Sequence, residues 1–211
     1  MVNNTIGIIT YDIAHKKTQD VVYGLKKRGY KKITLIIKKF HLYKNKTKPI
    51  FDHRPYQFEG LTAYELAEEL NLRIIKLDEN ANLSNFRKIL ICGAGLLDKR
   101  YIIKNHLINC HSGLIPETRG LDSFKWAIFN NKYVGNTLHY IDQRVDLGKI
   151  IYQEKTKIFN SDNIKNFSKR HYKREIQILI NFDEHLMKTN NLNLKMEKKQ
   201  MRMPKETEII M

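Results

Sequence analysis

Cysteine is nearly absent from this chain: it has two in 211 residues, alongside four prolines, ten glycines and one tryptophan. Cys92 and Cys110 each sit inside an apolar segment that reads as a buried strand, which argues against a disulfide framework and for reduced core thiols. No apolar run approaches the roughly 18 residues that a membrane helix needs, so no membrane partner is expected. The opening MVNNTIGIITYD lacks the basic-then-apolar layout of a secretory signal, and the chain reads as cytoplasmic. No internal repeat is present. Acidic residues are few, 22 against 38 lysines and arginines, for a formal charge of +16. Such a field attracts polyanions and anionic small molecules alike. The lysines are scattered (Lys16, Lys17, Lys26, Lys27, Lys31, Lys32, Lys38, Lys39), as on a solvated basic surface. No run of aromatics amid Lys and Arg stands out among the eleven tyrosines, so a base-stacking nucleic-acid module is the weaker reading of that charge.

What is present is ordinary globular material, 42% apolar and 28% charged, enough for one α/β domain with its own core. Residues 1–190 read as that catalytic domain and residues 191–211 as a short extension or loose tail. Short apolar runs at residues 5–11, 33–37, 73–77, 89–92 and 107–111 read as strands. Helical spacing follows at Val21, Val22 and Leu25, across residues 61–70 and, briefly, across residues 84–88. Residues 38–60 are irregular and carry the run Phe51-Asp-His-Arg-Pro55. Further on come a helix at residues 121–129 holding Trp126, strands at 136–141 and 149–155 around a polar turn, and one long helix over residues 163–187. Strands alternating with helices imply a doubly wound, mostly parallel sheet with a long C-terminal helix, whose ligand sits outside the carboxyl ends of the strands.

Asn109, Cys110 and His111 end one of those strands. Side chains alternate across a strand, so Asn109 and His111 share a face, about 7 Å apart, while Cys110 points away and is disfavoured as a nucleophile. An amide can donate to a developing oxyanion and an imidazole can exchange protons near neutral pH, a pairing suited to acyl transfer. Alone, such a pair is more often structural, with both groups hydrogen-bonded to nearby loops. Asp142 and Asp146, four apart in the turn before Gly148, could hold an imidazolium or take a proton, or merely bond the turn backbone.

Together these segments resemble one family. Asn109-Cys-His-Ser-Gly-Leu-Ile-Pro-Glu-Thr-Arg-Gly120, Trp126-Ala-Ile and Thr137-Leu-His-Tyr-Ile-Asp-Gln-Arg-Val-Asp-Leu-Gly148 are similar, in order and spacing, to the core of the 10-formyltetrahydrofolate-dependent formyltransferases. The resemblance is specific over residues 89–150. It departs at Ser112-Gly113, where many members have Pro-Ser. It implies the Rossmann-like formyltransferase fold and a formyl group moved from N10-formyltetrahydrofolate to an amine, without a metal. By the same resemblance Asn109 polarises the formyl oxygen, His111 stabilises the tetrahedral intermediate, and Asp146 pairs with His111 and assists proton transfer. Gly93, Ala94, Gly95 and Leu96, with Gln143, Arg144 and Val145, form the wall that receives the pterin.

The flanks bear on the acceptor. Glycinamide ribonucleotide transformylases carry a glycine-rich phosphate loop after the first strand, where this chain reads Thr10-Tyr-Asp-Ile-Ala-His-Lys16. Methionyl-tRNA formyltransferases add a C-terminal barrel, and formyltetrahydrofolate hydrolases an N-terminal domain. The resemblance therefore points to the sugar N-formyltransferases, acting on a nucleotide-linked 4-amino-4,6-dideoxyhexose, with the transformylase and hydrolase activities as alternatives. His53 and Arg54 could meet the nucleotide diphosphate, or Arg54 could tie down its own loop. Trp126 reads as core or as a platform for the substrate. A homodimer is compatible with the chain's size.

Overall fold

The computed structural model describes residues 5–41, 49–104, 107–143, 146, 148–188 and 198–211. The chain divides into two compact units, residues 1–43 with 56–109 and residues 44–55 with 110–211. Both the long irregular stretch and the polar turn read from the sequence fall partly outside the described residues.

The first unit is a parallel sheet wrapped by helices. β1 (Ile6–Tyr11) pairs with β2 (Ile33–Lys38) on one side and β4 (Lys88–Ile91) on the other. β2 pairs with β3 (Arg73–Lys76), and β4 with β5 (Leu107–His111), in register Ile91 opposite Asn109. β1 and β2 are apolar on both faces, as a doubly covered parallel strand must be. α1 (Lys16–Lys27) buries Val21, Val22 and Leu25, the three positions whose spacing marked it, each side chain contributing about 1.5–3 kcal/mol. α2 (Ala63–Glu69) starts on a capping box in which Thr62 and Glu65 satisfy each other's backbone N–H groups. α3 (Lys99–Lys104), six residues long, carries too little periodicity to be seen in sequence.

In the second unit β6 (Gly135–Tyr140) and β7 (Ile150–Lys155) pair antiparallel, with a register shift between Leu138 and His139. α4 (Ser123–Phe129) and α5 (Ile164–Ile180) meet in a core of Phe124, Ala127, Val134 and Phe167. The strand order is β3-β2-β1-β4-β5-β6-β7, a seven-stranded, mostly parallel sheet that reverses direction of winding at β1. Unit boundaries fall inside β5, after Asn109.

Two expectations change. Residues 84–87 are turn and bend, not helix, and Lys88 already opens β4: Asn82 Oδ1 accepts the Ser84 N–H at 2.9 Å, and a side chain that bonds nearby backbone competes with helix. The long helix over residues 163–187 is two, because α5 stops at Asn181 and α6 (Phe182–Met187) begins there. Of the two readings of the C-terminal residues, an extension or a loose tail, the described residues 198–211 fit the extension. Residues 198–211 hold α7 (Lys205–Ile209), bury Met203 and Glu208, and bridge Gln200 to Gly120.

Candidate active site

β5 delivers His111 buried, 8% exposed, at its carboxyl end. The loop that follows clasps one edge of the ring. His111 Nε2 lies 3.0 Å from the Thr118 carbonyl and 3.0 Å from Ser123 Oγ. A carbonyl only accepts, so Nε2 carries the proton. Ser123 donates its own hydrogen to the Gly120 carbonyl at 2.9 Å, which leaves its oxygen to accept from Nε2 as well. The other ring nitrogen, Nδ1, faces Asp146 Oδ1 at 3.7 Å. Asp146 is fixed in turn: its second oxygen accepts the Gly120 N–H at 2.9 Å, and its backbone takes the left-handed conformation, φ 53°, that Asp tolerates better than most residues. Loop residues 118–123 therefore hold both members of the pair.

Around that pair lie histidines that cannot share its work. His139, fully buried on β6 beside the register shift, is held down to about 4 by burial first and then by the charge of His111. His171, on α5, is lowered to about 4 chiefly by burial, and its Nδ1 lies 2.8 Å from Thr156 Oγ1. Phe124 packs between His171 and His53, with ring centroids 5.1 and 5.8 Å away. Burial, then the charges of Arg54 and Lys125, push His53 well below the ordinary imidazole range. Arg54 itself donates to Ser112 Oγ at 2.8 Å and pairs with the fully buried carboxylate of Glu175 at 3.1 Å.

In the first unit Asn109 is half-buried at the end of β5, and the loop after β4 sits beside β1, where the winding reverses. Ala94 is buried, whereas Gly95 and Leu96 face solvent. Gly93 is needed because a Cβ there would come within 2.6 Å of the Tyr11 ring. Lys38 Nζ donates to the Ala94 carbonyl at 2.7 Å and to the Leu96 carbonyl, and its partial burial lowers its proton affinity. Sequence reading missed this lysine among so many, since nothing in its neighbours marks it as the one that turns inward.

Gln143 is exposed, and Arg144 and Val145 lie outside the described residues. Trp126 is half-buried on α4, its indole N–H donating to the Met201 carbonyl at 2.6 Å. Ser123, Thr118 and Glu175 were also not singled out by sequence. Ser123 opens a helix like any capping residue, and Glu175 looks like a solvated helix position. Among the described residues no group of three or more His, Cys, Asp or Glu is placed to hold a metal ion, and no helix is long and apolar enough to cross a membrane.

The arrangement is that of an α/β enzyme whose polar pair stands at the carboxyl end of a central strand. Residues 43–182 match the family described as Formyl transferase, and the chain belongs to it: it is a formyl transferase. It is 29% identical over 146 residues to phosphoribosylglycinamide formyltransferase of Bacillus subtilis, covering 68% of this chain and 71% of that one. Two solved structures share the fold. A sugar N-formyltransferase from a Shewanella species has a TM-score of 0.61 at 20% identity over 93% of this chain and 75% of its own. An N-formyltransferase from Helicobacter canadensis, in complex with folinic acid and dTDP-3-aminofucose, has a TM-score of 0.62 at 19% identity over 89% of this chain and 66% of its own.

Proposed function

We propose that this enzyme transfers the formyl group of 10-formyltetrahydrofolate to the amino group of a nucleotide-linked amino sugar. The observation that carries the reading is the His111–Asp146 pair, one ring nitrogen committed to the Thr118 carbonyl and the other turned toward a carboxylate, two residues beyond Asn109 on the same strand. The donor supplies a formyl carbon activated by its aryl nitrogen. Asn109 donates its amide N–H to the formyl oxygen, an electrostatic contribution of the oxyanion-hole kind. With Nε2 fixed as a donor, only Nδ1 of His111 is left to exchange a proton. Asp146 balances the charge on that ring and, through the oxygen facing it, takes part in moving the proton that the attacking amine loses to the folate nitrogen, which leaves as its bond to the formyl carbon breaks. The loop at residues 93–96, held by Lys38, fits a pterin wall: Gly95 and Leu96 face solvent while its carbonyls at Ala94 and Leu96 are already occupied.

The amino-sugar acceptor is supported by the likeness to the two structures above and by the start of α1. There the Lys16 N–H donates to the Gln57 carbonyl at 2.8 Å, and His15 Nδ1 lies 2.9 Å from Thr18 Oγ1. These groups are engaged by the chain itself, where a phosphate-binding turn would present them to substrate. The Bacillus subtilis relative favours a second reading, in which the same trio formylates glycinamide ribonucleotide.

Mass spectrometry separates the two. The enzyme is incubated with 10-formyltetrahydrofolate and a panel of dTDP-, UDP- and GDP-linked amino sugars beside glycinamide ribonucleotide. A gain of one formyl group on a nucleotide sugar is expected. A gain on glycinamide ribonucleotide alone establishes the second reading, and formyl release to water alone makes the protein a hydrolase.

A further inference from the structure

Residues 198–211 lie beyond the family match, which ends at residue 182, yet they touch the loop that builds the reacting pair. The backbone part of the contact is made at the tripeptide Arg119-Gly120-Leu121, which bonds in two directions. Toward the pair, the Gly120 N–H holds Asp146 and the Gly120 carbonyl holds Ser123. Away from it, the Arg119 carbonyl accepts the Gln200 N–H at 2.9 Å and the Leu121 N–H donates to the Gln200 carbonyl at 3.1 Å. Gly120 is the residue that allows both. Its φ is +102°, and a Cβ there would lie 2.2 Å from the Gln200 oxygen. No side chain fits between loop and C-terminal segment.

The segment is in turn anchored at several points. The Met203 N–H donates to Asp122 Oδ2 at 3.1 Å, Arg202 faces Asp122 Oδ1 at 3.6 Å, and Trp126 bonds the Met201 carbonyl. The Met203 side chain is 4% exposed. Glu208 pairs with the buried Lys125 of α4 and accepts the Ile50 N–H at 2.5 Å. A surface tail has no need of a buried ion pair, since leaving such charges unpaired is costly.

We infer that residues 198–211 are a strap that positions the reacting pair, with Gln200 as the residue that sets the Thr118 carbonyl, the Gly120 N–H and Ser123 at their distances from His111 and Asp146. The inference rests on the reading of that pair as the proton-handling centre. Displacing a positioned group by 1 Å can cost about 10²-fold in rate, so a strap that shifts the loop by a fraction of that is felt in turnover rather than in binding.

The test uses the full chain with 10-formyltetrahydrofolate and a dTDP-linked 4-amino-4,6-dideoxyhexose. Gln200→Pro removes the N–H that Arg119 accepts, and Met203→Ala removes the apolar anchor without touching the loop. Gln200→Pro is expected to lower kcat about tenfold or more while the KM for the folate stays within about twofold. In histidine-labelled protein the ¹⁵N shifts of the His111 ring, assigned with His111→Gln, should move in the same variant. Met203→Ala should move both readouts the same way by less. Wild-type kcat and unmoved His111 shifts in both variants overturn the inference, as does a kcat loss that disappears on cooling with the ring shifts unchanged. If the wild-type enzyme formylates none of the panel, the proposed function fails, and the His111 shifts still decide whether the strap reaches the ring.

Discussion

The carboxylate of Glu175, with no solvent exposure, stands 3.1 Å from the Arg54 guanidinium, which is itself about one-third exposed. That places the arginine of the proline-bearing loop over α5, with Ser112 as its other partner. Glu175→Ala leaves the guanidinium without its counter-charge and should cost about 3 kcal/mol in urea unfolding, the low end for a broken buried pair because Arg54 is partly solvated. Unchanged unfolding together with a raised KM for the nucleotide-linked sugar would assign Arg54 to substrate instead.

His111→Ala and Asp146→Asn should each lower kcat by about 10²–10⁴, the usual contribution of a positioned proton-transfer group, with melting temperatures close to wild type. Asn109→Ala should lose about 10²–10³, as for a missing oxyanion donor. Wild-type turnover in any of the three removes that residue from the mechanism.

Ser123→Ala takes away one of two partners of His111 Nε2 and leaves the Thr118 carbonyl. The proton then has a weaker hold on that nitrogen. The ¹⁵N spectrum of His111 should show the second tautomer growing in, with kcat down by no more than about fivefold, the factor that a net hydrogen bond of about 1 kcal/mol represents. Ser123→Thr, which keeps the hydroxyl, should restore a single tautomer.

Acid should weaken the fold before it reaches ordinary carboxylates. His139 and His171 are both held at about 4 in the folded chain against an ordinary value of 6.5. Their depressed values mean that the unfolded chain binds more protons between those limits, so stability is complete above about pH 6.5 and falls as pH drops toward 4. Each histidine contributes about 1.4 kcal/mol per pH unit inside that window. Unfolding free energies measured from pH 7 to pH 4.5 test the slope. His171→Gln should flatten it, and an unchanged slope would exclude His171 as a source.

Much of the fold was legible because its strands are short apolar runs closed by turns, and β1, β2, β4 and β5 appear where the sequence places them to within a residue or two. α3 was invisible for want of length, and the break at Asn181 because apolar spacing continues across it. At the candidate site, motif spacing pointed to Asn109, His111 and Asp146, whose proposed roles the variants above test. Ser123, Thr118 and Lys38 could not, because a hydroxyl, a carbonyl and one lysine among many acquire meaning only from the loop geometry around them. The C-terminal strap lacked a periodic pattern altogether. It is held by backbone bonds at Gln200 and by one ion pair, neither of which has a sequence signature.

The two cysteines divide evenly between the compact units, Cys92 in the first at 7% exposure and Cys110 in the second at 2%. Alkylation of either thiol therefore waits on transient opening of its own half. Pulse labelling followed by peptide mapping would clock the two openings side by side in the unmodified enzyme, and would show whether each unit opens at its own rate.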